Sequence, residues 1–505
     1  MLSCLGIAIL ATAAATAPAD PYRTTEYWEL ARSPGGDQLA SLLSRSEPAI
    51  AARAALALGR TGKLLAADPL LQHTQAGDIA IRAMVVYGLG LLAPTLSGKT
   101  LQPMLSPLAT DRRARSADAI TAALRDASPV VRIAALDASA RFAYAEDFTL
   151  AQRARATNAA MHVLRADEVP AVRGRAAYAL AYLGKDKAVH VRALRALESA
   201  YASEDDESAR WHIMWALAIT FAKDVSGKTL AAGLADQSEI VKLQTLHALE
   251  RRKSKAWIAQ IKPLAGSPSW RLNEEAREAL RVLRGGKRTE HLAAIPAGVM
   301  TPQPMPAQQL SPLPRPYFTG KPSRPAVAQL ILRPHVVPET VETMTGPMPG
   351  PHPRVAIVTN KGTMQLILYP EWAPQTVTNF LQLANRGFYD GIRPFRIVPD
   401  FVVQSGDRTN TGDGDAGYRI RNEENPLEQD SGIISMGLDY DKNGAVRDSA
   451  GSQFYITMSP QLHLNRDFTV FGRVESGFNV LGRLVESDRI LRIEQLSDGE
   501  PVSQP

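Results

Sequence analysis

Few side chains in this 505-residue chain can do covalent or metal chemistry. Cys4 is its one cysteine, and it lies in an apolar opening stretch. A chain trimmed after Ala19 would hold none, which excludes disulfides and a thiol nucleophile. The nine histidines are scattered, and none makes the H-E-x-x-H pattern that sets two imidazoles on one helix face. No metal site is expected from them. His212 and His247 are expected to pack at helix interfaces or face water. Gly412-Asp413-Gly414-Asp415-Ala416-Gly417 fits the spacing of a dinucleotide fingerprint. It lacks the strand before and the helix after that such a phosphate cradle needs, so it reads as a surface loop. Asp439-Tyr440-Asp441-Lys442-Asn443-Gly444 opens like a calcium loop, but its twelfth position is Ala450, where a bidentate carboxylate belongs. No cofactor is expected. The net charge of +6 is mild, and no basic run is interleaved with aromatics, which argues against nucleic acid as a partner.

Three longer words in the last third carry more. Pro394-Phe395-Arg396-Ile397-Val398-Pro399-Asp400-Phe401-Val402-Val403-Gln404-Ser405-Gly406-Asp407 is followed by Gly451-Ser452-Gln453-Phe454-Tyr455-Ile456 and then by Leu464 to Val474. In that order and at those separations they resemble the cyclophilin-type peptidyl-prolyl cis/trans isomerases, over Arg354 to Leu496. The resemblance implies turnover of X-Pro bonds in protein clients. It places the catalytic arginine on Arg396 and the orienting glutamine on Gln404. It places the substrate surface on Phe401, Val402, Gly437, Tyr455, His463, Leu464 and Phe468. Departures from the family pattern bear on substrate preference. They are Val402 for methionine, His463 for a larger aromatic, Phe468 for histidine and Phe395 for histidine. The competing reading is a non-catalytic peptide-binding scaffold of an envelope assembly.

The elements that must position these residues are legible. Val355–Thr359 and Met364–Tyr369 are β-rich runs joined by Asn360-Lys361-Gly362-Thr363, a hairpin turn. Pro374 suits a first helical position, Val377, Phe380, Leu381 and Ala384 share a face, and Gly387 ends the helix. Strands are expected at 395–397, 401–404, 433–436, 453–457, 469–474 and 490–494, with a second helix near 477–484. Many strands and two helices suggest a closed antiparallel β-barrel capped by helices. The stretch 438–450 is longer than in the common family form, and an insertion shaping peptide choice is expected there.

Upstream, Tyr22 to Ile295 is dense in alanine and leucine at helical spacing. One phrase recurs: an acidic or small turn, an aliphatic residue, a basic anchor, then Ala and Leu. The anchors stand at Arg53, Arg82, Arg132, Arg173, Arg210, Lys242 and Arg271. Their mean step of about 36 residues is the range of stacked helix pairs, which bury a shared core only by stacking. The block resembles HEAT repeats, in which the arginine and its acidic turn partner tie successive units. The fold expected is a right-handed α-solenoid of helix pairs, with a protein partner on its surface. The step from 82 to 132 is too long for one unit. Between Pro296 and Pro353 stand 15 of the 35 prolines, so this linker cannot be helical, and Ala326–Leu332 within it reads as a strand. Residues 1–19 read as an export signal with Ala17-Pro18-Ala19 before the cut, too short for a stable membrane span. The chain is therefore expected to be exported, to a bacterial periplasm. A cytoplasmic or lipid-anchored chain is the alternative. Residues 497–505 form a tail.

Overall fold

A computed structural model describes residues 36–45, 47–96, 106–145, 148–287, 352–398, 400–441, 444–465 and 467–496. The export signal expected at 1–19, the linker up to residue 351 with the strand expected at Ala326–Leu332, and the tail 497–505 lie outside the described residues. The chain divides into two compact units. The first runs to Leu264 and includes Val282–Arg284, and the second comprises Ala265–Arg281 and the chain from Gly285 on.

In the first unit, helices Pro48–Arg60, Ile79–Leu91, Pro129–Tyr144, Pro170–Leu183, Glu207–Thr220 and Glu239–Arg252 form one row, each packed on the next. Helices Ser106–Ala123, Leu150–Ala166, Lys187–Ser203 and Gly227–Ala235 form a second row. Small residues let the first row close up. A Cβ on Gly59 would sit 2.6 Å from the Gly88 Cα of the neighbouring helix. Helix Ile79–Leu91 packs directly on Pro129–Tyr144 across the long step from 82 to 132. A short helix, Ala93–Leu96, lies within it.

Four of the basic anchors form a ladder. Arg82 Nε and Nη2 donate to the Asp126 carboxylate at 2.9 and 3.1 Å, while its Nη1 donates to the carbonyls of Ala76 and Gly77. Arg132 repeats this on Asp167, Arg173 on Glu204 and Arg210 on Asp236. Each acid stands two residues before the next N-cap of the first row and also accepts that residue's N–H, at Ser128, Val169, Asp206 and Ser238. A planar fork on a carboxylate fixes both distance and angle, so each rung ties one first-row helix to the turn before the next. His212 is buried, and its Nδ1 donates to the Ser208 carbonyl at 2.7 Å.

In the second unit the strands are β1 (Arg354–Thr359), β2 (Gly362–Leu368), β3 (Arg396–Val398), β4 (Val402–Ser405), β5 (Ile433–Met436), β6 (Tyr440–Asp441), β7 (Gly444–Ala445), β8 (Phe454–Thr457), β9 (Val470–Ser476) and β10 (Ile490–Leu496). Eight of them form one antiparallel sheet in the order β10-β1-β2-β9-β5-β8-β4-β3, and β6 pairs with β7 alone. The sheet curls but does not close, which corrects the closed barrel expected. With three residues, β3 is too short to reach β10. Instead Gly391 N donates to the Ile490 carbonyl and Ile490 N to the Ile392 carbonyl, just ahead of β3. The hollow of the curl is filled by Phe380, Phe454 and Phe471, with ring centroids 5.3–5.6 Å from Phe380. The cavity left inside, between residues such as Ile357, Val403 and Ile456, is only about 20 Å³. Helix Pro374–Asn385 covers the sheet, with Pro at its start as expected. Its first N–H groups, at Gln375 and Thr376, are capped by the Glu423 carboxylate. The second helix is short, Phe478–Leu481.

Candidate active site

Strand register places the site. Arg396 stands opposite Gln404, Gln404 opposite Tyr455, and Tyr455 opposite Ser435. Residues directly opposed across antiparallel strands point to one face, so these four form a row across β3, β4, β8 and β5. Ile397, Val403, Ile456 and Ile434 form the adjacent row and point inward. Val402 lies two residues from Gln404 and shares the outer face.

Arg396 is half-buried, and its Cζ lies 5.3 Å from the centroid of the Phe401 ring. Among the described residues no hydrogen bond or ion pair engages its guanidinium, so its N–H groups are available to a ligand. Phe401 stacks on His463 at 5.7 Å and 16°. Tyr455 meets Phe468 edge-on at 5.6 Å, and both are buried, as is Leu464. Burial pushes the Tyr455 hydroxyl well above its ordinary pKa, so it stays a neutral phenol. Gly437 donates its N–H to the Gln453 carbonyl at 2.8 Å. A Cβ there would lie 3.3 Å from Gln404 Nε2, so glycine leaves the glutamine room. Arg396, Val402, Gln404 and Tyr455 share one face of β3, β4 and β8, Phe401 stands in the turn just before β4, and Gly437, His463, Leu464 and Phe468 lie on adjoining segments.

Other residues hold these in place, and the sequence reading did not single them out. Gln404 Nε2 donates to Gln453 Oε1 at 3.2 Å, and Gln453 Nε2 donates to the carbonyls of Gly412 and Gly414. That loop is itself wound around Asp407, whose buried carboxylate accepts from the N–H groups of Thr409, Thr411 and Gly412. Burial alone would raise the Asp407 pKa, but the Thr409 and glycine donors outweigh it and hold the carboxyl below its ordinary value. The signals were present: Asp407 closes the first quoted word, and Gln453 sits in the second. The decoy glycines of 412–417 are irregular loop and open no helix.

The longer stretch 438–450 contains the β6–β7 pair. Arg419 Nη2 holds the Asp439 carboxylate at 2.7 Å, and Ser449 Oγ accepts from Asp439 N. Tyr440 is 64% exposed, with its ring 6.2 Å from that of Phe468.

The family model "Cyclophilin type peptidyl-prolyl cis-trans isomerase/CLD" matches residues 354–500. "Peptidyl-prolyl cis-trans isomerase B" of Bacillus subtilis (strain 168) is 46% identical over 123 residues, which are 24% of this chain and 82% of that protein. The chain belongs to the cyclophilin-type peptidyl-prolyl cis-trans isomerases. Similar relatives include the "Peptidyl-prolyl cis-trans isomerase" of Synechococcus elongatus, 39% identical over 28% of this chain and 94% of that one. That of Helicobacter pylori is 41% identical over 26% of this chain and 81% of its own length. The residues that the family model matches are those of the curled sheet of this isomerase. No helix among the described residues is long and apolar enough to cross a membrane.

Proposed function

We propose that the sheet domain turns X-Pro bonds of protein clients between cis and trans, with Arg396 as the catalytic residue. The amide barrier comes from resonance and is roughly 20 kcal/mol, while cis and trans proline lie within about 1 kcal/mol. No nucleophile is needed. The enzyme must grip the pyrrolidine ring and favour the twisted bond. In the twist the nitrogen becomes pyramidal and regains a localised lone pair. A fixed guanidinium aimed at that nitrogen favours the twisted state over the planar one. The proline ring rests on Phe401, Val402, Tyr455, Leu464 and Phe468, and Gln404, steadied by Gln453, hydrogen-bonds the backbone beside the rotating bond. The observation that carries this reading is an arginine left unengaged above an aromatic ring, in register with Gln404 and Tyr455.

The helical rows are read as a HEAT-like right-handed solenoid that holds clients or an assembly partner. The arginine ladder supports this, as does a 580 Å³ groove lined by Met161, His162, Arg165, Ala196 and Ala200 of two second-row helices. The segment 1–19 is read as a cleaved export signal to a periplasm. N-terminal sequencing of the secreted chain that returned Met1 instead of Asp20 would refute this. The activity is tested on the full chain with a proline tetrapeptide in a protease-coupled or exchange assay, beside Arg396→Ala. Isomerisation above the thermal rate that Arg396→Ala abolishes is expected. A wild-type chain that binds the peptide without speeding its isomerisation would leave the non-catalytic scaffold in its place.

A further inference from the structure

Arg271 is the last of the basic anchors, and the second unit includes its stretch, Ala265–Arg281. It stands in the first turn of helix Trp270–Leu283, after Ser267-Pro268, as Arg132 stands after Ser128-Pro129. Its partner, however, is Asp400 of the sheet domain. Arg271 Nη2 lies 2.9 Å from Asp400 Oδ1, with the two side chains 17% and 1% exposed.

Asp400 sits beside the proline surface. It occupies the turn between β3 and β4 in a left-handed conformation, φ 55°, which aspartate adopts more readily than most non-glycine residues. The next residue is Phe401. The Asp400 carbonyl accepts from Ser459 Oγ and from Gln461 Nε2, the latter at 2.8 Å. Gln461 in turn accepts the N–H of Leu464 at 2.9 Å, and Met458 N donates to the Phe401 carbonyl at 2.8 Å. One residue therefore ties the turn that carries Phe401 to the segment that carries His463 and Leu464.

We propose that Arg271 is a positioning residue for the isomerase site: by clamping the Asp400 carboxylate it fixes the distance between Phe401 and Leu464. The inference rests on the proposed function for its catalytic consequence, but the positioning itself is read without turnover. A guanidinium on a nearly buried carboxylate orients its partner strongly. Among the described residues it reaches Asp400 through Nη2, so Arg271→Lys keeps the charge and one donor.

The test uses the full chain. Arg271→Ala is expected to raise KM for a proline tetrapeptide by about tenfold with a smaller fall in kcat, since misplacing a binding wall weakens the grip on the ring. Arg271→Lys is expected to recover most of the loss. Arg271→Ala combined with Asp400→Asn should be no worse than Asp400→Asn alone, because both remove one interaction. Arg132→Ala, which removes a rung of the ladder, serves as the control: it lowers the melting temperature and leaves KM and kcat unchanged. Amide exchange at 400–404 and 459–464 should speed up in Arg271→Ala and in Asp400→Asn. Wild-type kinetics together with wild-type exchange in Arg271→Ala would overturn the proposal, as would a kinetic loss matched by Arg132→Ala. If Arg271→Ala does not fold, Arg271→Gln is judged by the same outcomes. A wild-type chain without turnover would remove the proposed function, while the exchange data would still decide the positioning.

Discussion

In the helical rows Arg82, Arg132, Arg173 and Arg210 each place three nitrogens on a carboxylate and two carbonyls. On the sheet, Arg396 has no acceptor among the described residues and rests against an aromatic ring. The same side chain thus serves two ends. A saturated fork is a rivet: its donors are used up inside the fold, and its value is geometric. An unsaturated fork beside apolar rings is held in place by packing and keeps its donors open, which is what the proposed role of Arg396 requires. Residue type and permanent charge do not tell the ladder arginines from Arg396, whereas the number of donors committed inside the fold does.

The sharpest way to break this contrast is Arg396→Ala. We expect kcat/KM to fall by roughly a hundredfold or more, about 3 kcal/mol of transition-state stabilisation, with the melting temperature unchanged. A comparable loss of stability would make Arg396 a rivet too. Arg173→Ala should do the reverse. Both partners of its rung are under one-fifth exposed, so its removal should cost about 2–3 kcal/mol in denaturant unfolding of the helical rows and leave isomerisation untouched. The Asp407 loop gives a smaller, pH-dependent effect. Its carboxyl is held below the ordinary value of 3.8, so the folded state binds its proton less readily than the unfolded one. The stability it contributes is present above pH 3.8 and is lost as pH falls through its lower folded value. Amide exchange at Thr409, Thr411 and Gly412 should quicken across that window. Asp407→Asn should flatten the pH response and cost roughly 1–2 kcal/mol at neutral pH. The smallest expected change is at the rim. Tyr440→Ala removes an exposed ring beside Phe468 and should raise KM about threefold for peptides with a bulky residue near the proline, with kcat kept. Equal KM for all peptides would show that the 438–450 stretch has no part in client choice.

Much of this was legible in order along the chain. Helix spacing, proline at helix starts and the hairpin turn at 360–363 are local, and they follow from backbone sterics and side-chain period. The ladder arginines were legible because the phrase repeats. Arg396, Gln404 and Tyr455 could be named only by resemblance, since 59 positions separate the first from the last and no local rule joins them. Their union depends on the pairing register of β3, β4 and β8, a non-local choice made by burial of Ile397, Val403 and Ile456 on the inner face. Whether the sheet closed was not local either. It turned on β3 being three residues long, so that Gly391 and Ile392 met β10 in its place. Arg271 shows the division most plainly: its sequence marks it as one more rung, and packing gave it Asp400, 129 positions away. Types and periods come from chemistry between near neighbours. Partners come from the lowest-energy burial of the whole chain, which no stretch of residues contains by itself.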